Sequence, residues 1–152
     1  MNEVARSAGV GAATLYRHFS TREDLAEAVY RSKLDELTAR VVLRTQAENG
    51  QEALRVWVEE FANFMLATRG MMDTLRSSWT SGTMSASPTT THIAEVIARF
   101  LERGQHDSSL RGEIDPRDVI IAILGLLGAD ADETRIHRML GMFLDGLHTH
   151  RP

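Results

Sequence analysis

Four residues within a five-residue window, Thr14, Tyr16, Arg17 and His18, carry a hydroxyl, a phenol, a guanidinium and an imidazole. Donors of these kinds suit phosphate oxygens and base edges, and the small residues Ala12 and Ala13 beside them would let a helix approach a groove closely. Other chemistry finds less support. Glu102 with His106 and Glu133 with His137 stand four apart, whereas the Glu–His pairs of di-iron bundles stand three apart, so these are read as helix-surface contacts. Asp130, Asp132 and Glu133 sit where the dipole of a starting helix favours acids, and His148 and His150 are assigned no site. The chain lacks the phosphate loop G-x-x-x-x-G-K, the metalloprotease pair H-E-x-x-H and the nucleophile elbow G-x-S-x-G. With no cysteine it has no thiolate nucleophile, disulfide or Cys-based zinc site. It is read as not an enzyme, and neither cofactor nor metal is expected.

A helix, a turn and a second helix must position the donors. Val4, Ala5 and Ala8 share one face of a short helix, which Gly9-Val10-Gly11 interrupts. Gly9 is expected to take the positive φ that ends that helix, with Val10 plugging the turn. Leu15 and Phe19, four apart, give the second short helix its inner edge and leave Ala12, Ala13, Thr14, Tyr16, Arg17 and His18 facing outward. Ser20 or Thr21, each with an acid three residues on, opens a long helix that carries Leu25, Val29, Leu34, Leu37 and Val41 towards Asn49-Gly50.

Apolar spacing stays helical through the rest of the chain, so the fold class expected is all-α. Leu54, Trp57, Val58, Phe61, Phe64 and Met65 share one face; a Ser/Thr/Gly-rich stretch holding Trp79 and Met84 follows. Ser87-Pro88 starts a helix with Ile93, Val96, Ile97, Phe100 and Leu101, Asp115-Pro116 another, and Asp130 to Glu133 a last one. The helix from Val119 to Leu127 is apolar all round, more than one neighbour can cover. Ala122, Gly125 and Gly128 would admit a second helix, and the last helix offers a seam at Ile136, Met139 or Leu140, Phe143 and Leu147. A homodimer through the last two helices, closing a four-helix bundle, is expected.

At 152 residues, 43% hydrophobic and 25% charged, the chain is long enough for one domain with a real core, or for one core and a small appendage. A net charge of −4 argues against coating nucleic acid by bulk charge, although Arg6, Arg17, Arg22, Arg31 and Lys33 gather near one end among Glu3, Glu23, Asp24 and Glu27. The first residues lack the basic start and apolar run of a signal peptide, and the longest apolar run, Val119 to Ala129, is about half of the ~20 residues a bilayer crossing needs. A cytoplasmic protein with no membrane partner is expected.

"VARSAGVGAATLYRHFSTREDL", from Val4 to Leu25, resembles the N-terminal signature of the tetracycline-repressor-like (TetR/AcrR) regulators. The shared features are an Ala-Gly-Val turn, Thr-Leu-Tyr, two variable residues ending in Phe, and a Ser/Thr-Lys/Arg-Glu start to a long connecting helix. The likeness covers about 23 contiguous residues; beyond it the architecture and a closing "FLDGLHT" are similar. The pattern departs at Gly11 and Ala12, where many members carry Ser and a basic residue. The resemblance implies that Tyr16 and Thr14 meet phosphates, Arg17 and His18 phosphates or base edges, and Arg22 a further phosphate, with Leu15 and Phe19 in the core. It also implies a helix ahead of this motif that the sequence does not contain. The head is therefore expected to be an incomplete helix-turn-helix, loosely ordered or differently packed, with low DNA affinity.

The resemblance further implies a DNA-binding transcriptional regulator, a repressor of double-stranded operator DNA released by a small apolar or amphipathic effector. Residues 1–24 would be the partial DNA-binding domain and 25–152 the helical effector-binding and dimerisation domain. Trp57, Phe61, Phe64, Met65, Trp79, Met84 and Phe100, with His92 as a polar anchor, are the candidate effector-binding residues. The alternative is a dimeric small-molecule-binding helical protein without DNA binding in this form.

Overall fold

The computed structural model describes residues 1–68 and 88–149. Among them the chain forms seven helices: α1 (Asn2–Ser7), α2 (Ala12–His18), α3 (Arg22–Arg44), α4 (Gly50–Ala67), α5 (Pro88–His106), α6 (Pro116–Leu127) and α7 (Glu133–Asp145). No strand occurs among the described residues, where pairing is confined to one isolated bridge between Leu110 and His148. The fold is all-α, as expected.

Local chemistry sets most of the boundaries. Gly9 takes φ +69°, a left-handed conformation open to glycine, and turns the chain between α1 and α2. Thr21 and Asp24 form a reciprocal capping box: the Thr21 hydroxyl accepts from the Asp24 amide at 3.0 Å, and the Asp24 carboxylate accepts from the Thr21 amide at 2.9 Å. Asn49, Asp115 and Asp132 cap α4, α6 and α7 by accepting from the amides of Glu52, Arg117 and Arg135. Pro116 stands at the first position of α6, where a missing N–H costs nothing.

α4 is the central helix, packed against α3, α5, α6 and α7. Its Trp57 and Phe61 rings stack at 5.0 Å, Phe100 of α5 lies 6.1 Å from Trp57, and the indole N–H donates to the Thr38 hydroxyl of α3 at 3.0 Å. The N-terminal turn of α4 meets α5 backbone to backbone. A Cβ on Gly50 would lie 2.1 Å from the Gly104 nitrogen, so neither helix tolerates a side chain there. The loop after α5 completes this junction. Asp107 accepts from the Gly50 amide at 2.6 Å and Ser109 from the Gln51 amide at 3.1 Å, adding two partners for the free N–H groups of α4.

Three expectations shift in phase. On α3 the buried residue is Tyr30, while Val29 is 43% exposed, because the inward face runs Tyr30, Leu34, Leu37, Val41. Val10 does not plug the first turn; it is 43% exposed, and Ala5 with Leu15 is what the head buries. On α7 the expected seam belongs to the chain's own core: Ile136, Leu140 and Leu147 are buried against α4 and α6, which leaves Met142, 70% exposed, facing outward.

Candidate nucleic-acid interface

α2 turns Leu15 inward and leaves Thr14, Tyr16, Arg17 and His18 in solvent. Gly11 starts the helix without a side-chain cap, its carbonyl accepting from the Thr14 and Leu15 amides at 3.0 and 3.1 Å. Phe19 leaves the helix in extended backbone and is half-buried, with its ring 6.5 Å from that of His18. Tyr16 is 48% exposed, a large ring held in water with its phenol available as a donor.

Arg22 opens α3 immediately beyond, also exposed. The carboxylates that share this end of the chain are partly taken. Glu3 lies 3.9 Å from Arg6, a solvent-screened pair of small worth, and Asp24 is folded back into the capping box. Arg17 and Arg22 have no ion-pair partner among the described residues. The five donors expected from sequence therefore lie on one helix and the first turn of the next, as uncompensated cations and free hydroxyls. Such a surface meets a polyanion by Coulomb attraction and directs it by hydrogen bonds.

The effector candidates are distributed differently. Trp57 and Phe61 are completely enclosed and Phe100 nearly so, forming the stacked centre of the core. Phe64 and Met65 are half-buried at the other end of α4. His92, on the second turn of α5, holds Asp35 of α3 at 2.7 Å and has Glu95 4.0 Å from its other ring nitrogen. Trp79 and Met84 lie outside the described residues.

Sequence reasoning passed over Tyr30. Its ring lies 5.3 Å from Phe64 and its hydroxyl donates to the Met65 thioether at 3.2 Å. Burial pushes the phenol well above its ordinary range, so it stays a neutral donor at any physiological pH. The signal was present in the spacing Tyr30, Leu34, Leu37, Val41, which competes with the phase set by Val29.

Residues 1–29 match the family described as bacterial regulatory proteins, tetR family, and residues 49–149 match the transcriptional regulator SbtR-like C-terminal domain. The chain is 32% identical to a TetR transcriptional regulator from Streptomyces coelicolor, with a TM-score of 0.67 over 97% of this chain and 86% of that one. A TetR transcription regulatory protein from Mycobacterium vanbaalenii is 25% identical, with a TM-score of 0.59 over 97% and 82% of the two chains. Over 67 residues the sequence is 42% identical to the HTH-type transcriptional activator FasR of Mycolicibacterium smegmatis, a match spanning 43% of this chain and 30% of the activator.

Proposed function

Since the chain belongs to the tetR family of bacterial regulatory proteins, DNA-binding transcriptional regulators, we propose that it binds operator DNA as a homodimer and that a small apolar or amphipathic effector sets its affinity. Residues 1–24 serve as the DNA-binding head and 25–152 as the effector-binding and dimerisation body. Thr14 and Tyr16 contact phosphates, Arg17 and His18 phosphates or base edges, and Arg22 a further phosphate. The observation that carries this reading is the composition of the outward face of α2: four donors in solvent, a single apolar residue turned in, and neighbouring acids engaged elsewhere.

The outward face of α6 and α7 supports the dimer. Ile121 is 49% and Met142 70% exposed, Gly125 faces open space, and Met139 and Phe143 are half-buried beside them. Large exposed apolar residues beside a glycine that admits close approach are what a helix-on-helix contact between chains uses. The effector reading rests on Phe64, Met65 and His92, which line the body where α3, α4 and α5 meet, with Trp57, Phe61 and Phe100 supporting them from the core. FasR is named an activator, and whether a bound dimer blocks or aids transcription depends on where its operator lies, so the same head serves either direction.

The test is selection of duplexes from random DNA, then affinity measured against salt. Counterion release gives a slope of roughly −0.9 per neutralised phosphate, so Arg17→Ala and Arg22→Ala should each flatten the slope by about one, and Tyr16→Phe should weaken binding without changing it. Slopes identical to the parent's in both arginine variants would remove the interface assignment. Small-molecule binding with no duplex selected would favour a ligand-binding protein without DNA activity.

A further inference from the structure

α3 and α5 run side by side in the same sense, because the polar pairs that join them climb both helices together: Glu27 with Thr89, Asp35 with His92, and the Thr45 and Gln46 carbonyls with Arg103. Their apolar faces are turned mainly to α4, so these rungs are the principal direct link between the two helices. The rungs are unequal. At the far end the Arg103 guanidinium donates to the carbonyls of Thr45 at 2.9 Å, Gln46 at 3.0 Å and Glu48, and Gly104 abuts Gly50. A charged fork on three carbonyls beside a backbone contact fixes that end.

At the head end there are two single contacts. The Thr89 hydroxyl donates to the Glu27 carboxylate at 2.8 Å, and a His92 ring nitrogen meets the Asp35 carboxylate at 2.7 Å. The Asp35 side chain is 61% exposed, so water can replace its partner readily. We propose that Glu27–Thr89 and Asp35–His92 form a latch that seats the head-bearing half of α3 on the first turns of α5, and that opening it lets α3 tilt about the Arg103 clamp.

The lever arm gives the size of the motion. At 1.5 Å per residue, Asp35 lies about 15 Å, Glu27 about 27 Å and Arg22 about 35 Å from Thr45. A water inserted into either rung lengthens it by about 2 Å, which displaces the start of α3 by roughly 3–5 Å. Only the regulatory consequence rests on the DNA-binding reading: a displaced α3 carries the head with it. The latch itself belongs to the body.

The chain has no cysteine, so Glu23→Cys and Gln105→Cys, both at exposed positions, place one spin label at each end of the lever. Dilution with unlabelled protein suppresses distances between chains, and double electron–electron resonance reads the separation within one. Thr89→Val with His92→Ala should add a population displaced by about 3–5 Å, as should Glu27→Gln with Asp35→Asn, which leaves α5 untouched. The exchange Asp35→His with His92→Asp rebuilds the rung in reverse and should restore the parental distance. Coincident distributions in the parent and both disrupted variants, or an exchange variant displaced as far as His92→Ala alone, would overturn the latch. A displaced distance with unaltered operator affinity would leave the latch standing and refute its regulatory consequence.

Discussion

Gly50→Ala pits two effects of opposite sign against each other, and the structure decides between them. Helix propensity favours alanine over glycine by about 1 kcal/mol in a helix interior and by less at a first position such as this one. Against that, the new Cβ would lie 2.1 Å from the Gly104 nitrogen, 2.4 Å from its Cα and 2.7 Å from the Arg103 carbonyl carbon, where ordinary contact begins near 3.4 Å. All three atoms are backbone, so no rotamer change relieves the clash. α4 and α5 would have to part by more than an ångström along the junction that also holds Asp107 on the Gly50 amide, and a gap of that size forfeits about half of the dispersion well across the contact. Overpacking of well-filled sites costs about 1–3 kcal/mol, and rigid neighbours place this one at the upper end. For a chain of this length 3 kcal/mol lowers the melting temperature by about 6–12 °C. Thermal unfolding followed by circular dichroism measures it, with Gly112→Ala, whose Cβ would meet nothing within 4 Å, as the control. A Gly50→Ala protein melting at or above the parent temperature would refute the close backbone approach on which the junction and the lever both depend.

Asp107 makes the same junction sensitive to acid. Slight desolvation raises its carboxyl, but hydrogen bonds from the Ser109 hydroxyl, the Gly50 amide and the Ser109 amide, with the charge of Arg103, outweigh it and hold the group below its usual value of 3.8. A depressed carboxyl contributes its full stability above the unfolded value and loses it as pH falls through the folded one, so the melting gap between the parent and Asp107→Asn should be constant from neutral pH to about 5 and close below 4. A gap independent of pH would contradict this. Met142→Glu places a charge on the outward face of α7, and sedimentation equilibrium should find a monomer with its helix content intact; an unchanged dimer would move the interface elsewhere.

Much of the fold was legible because its signals are local. Asp115-Pro116, Asp132 and the Thr21–Asp24 pair act within a turn of their own position, and the inward face of α4 is broad enough that a small phase error changes little. Legibility failed where two phases compete. Val29 and Tyr30 are equally apolar neighbours, and only the position of α4 and α5 decides which is enclosed. The last helix shows the same difficulty on a larger scale: its periodic face was legible as a seam, but periodicity does not reveal whether a seam closes on its own chain or on a second copy. The donors of α2 were named from their types and neighbourhood. The rungs between α3 and α5 were not, because Glu27, Asp35, Thr89 and His92 lie 57 to 62 residues from their partners and follow no short-range pattern.

The bond from the Trp57 indole to the Thr38 hydroxyl joins the most enclosed ring of the body to the helix that bears the head. The chain has two tryptophans, so Trp79→Phe leaves one fluorophore, native and unlabelled, at the centre of the packing. Its emission is blue while the ring is dry and reddens when water reaches the indole. Titrating DNA or a small molecule into that variant would give an optical record of how α3 is seated, with no attached dye.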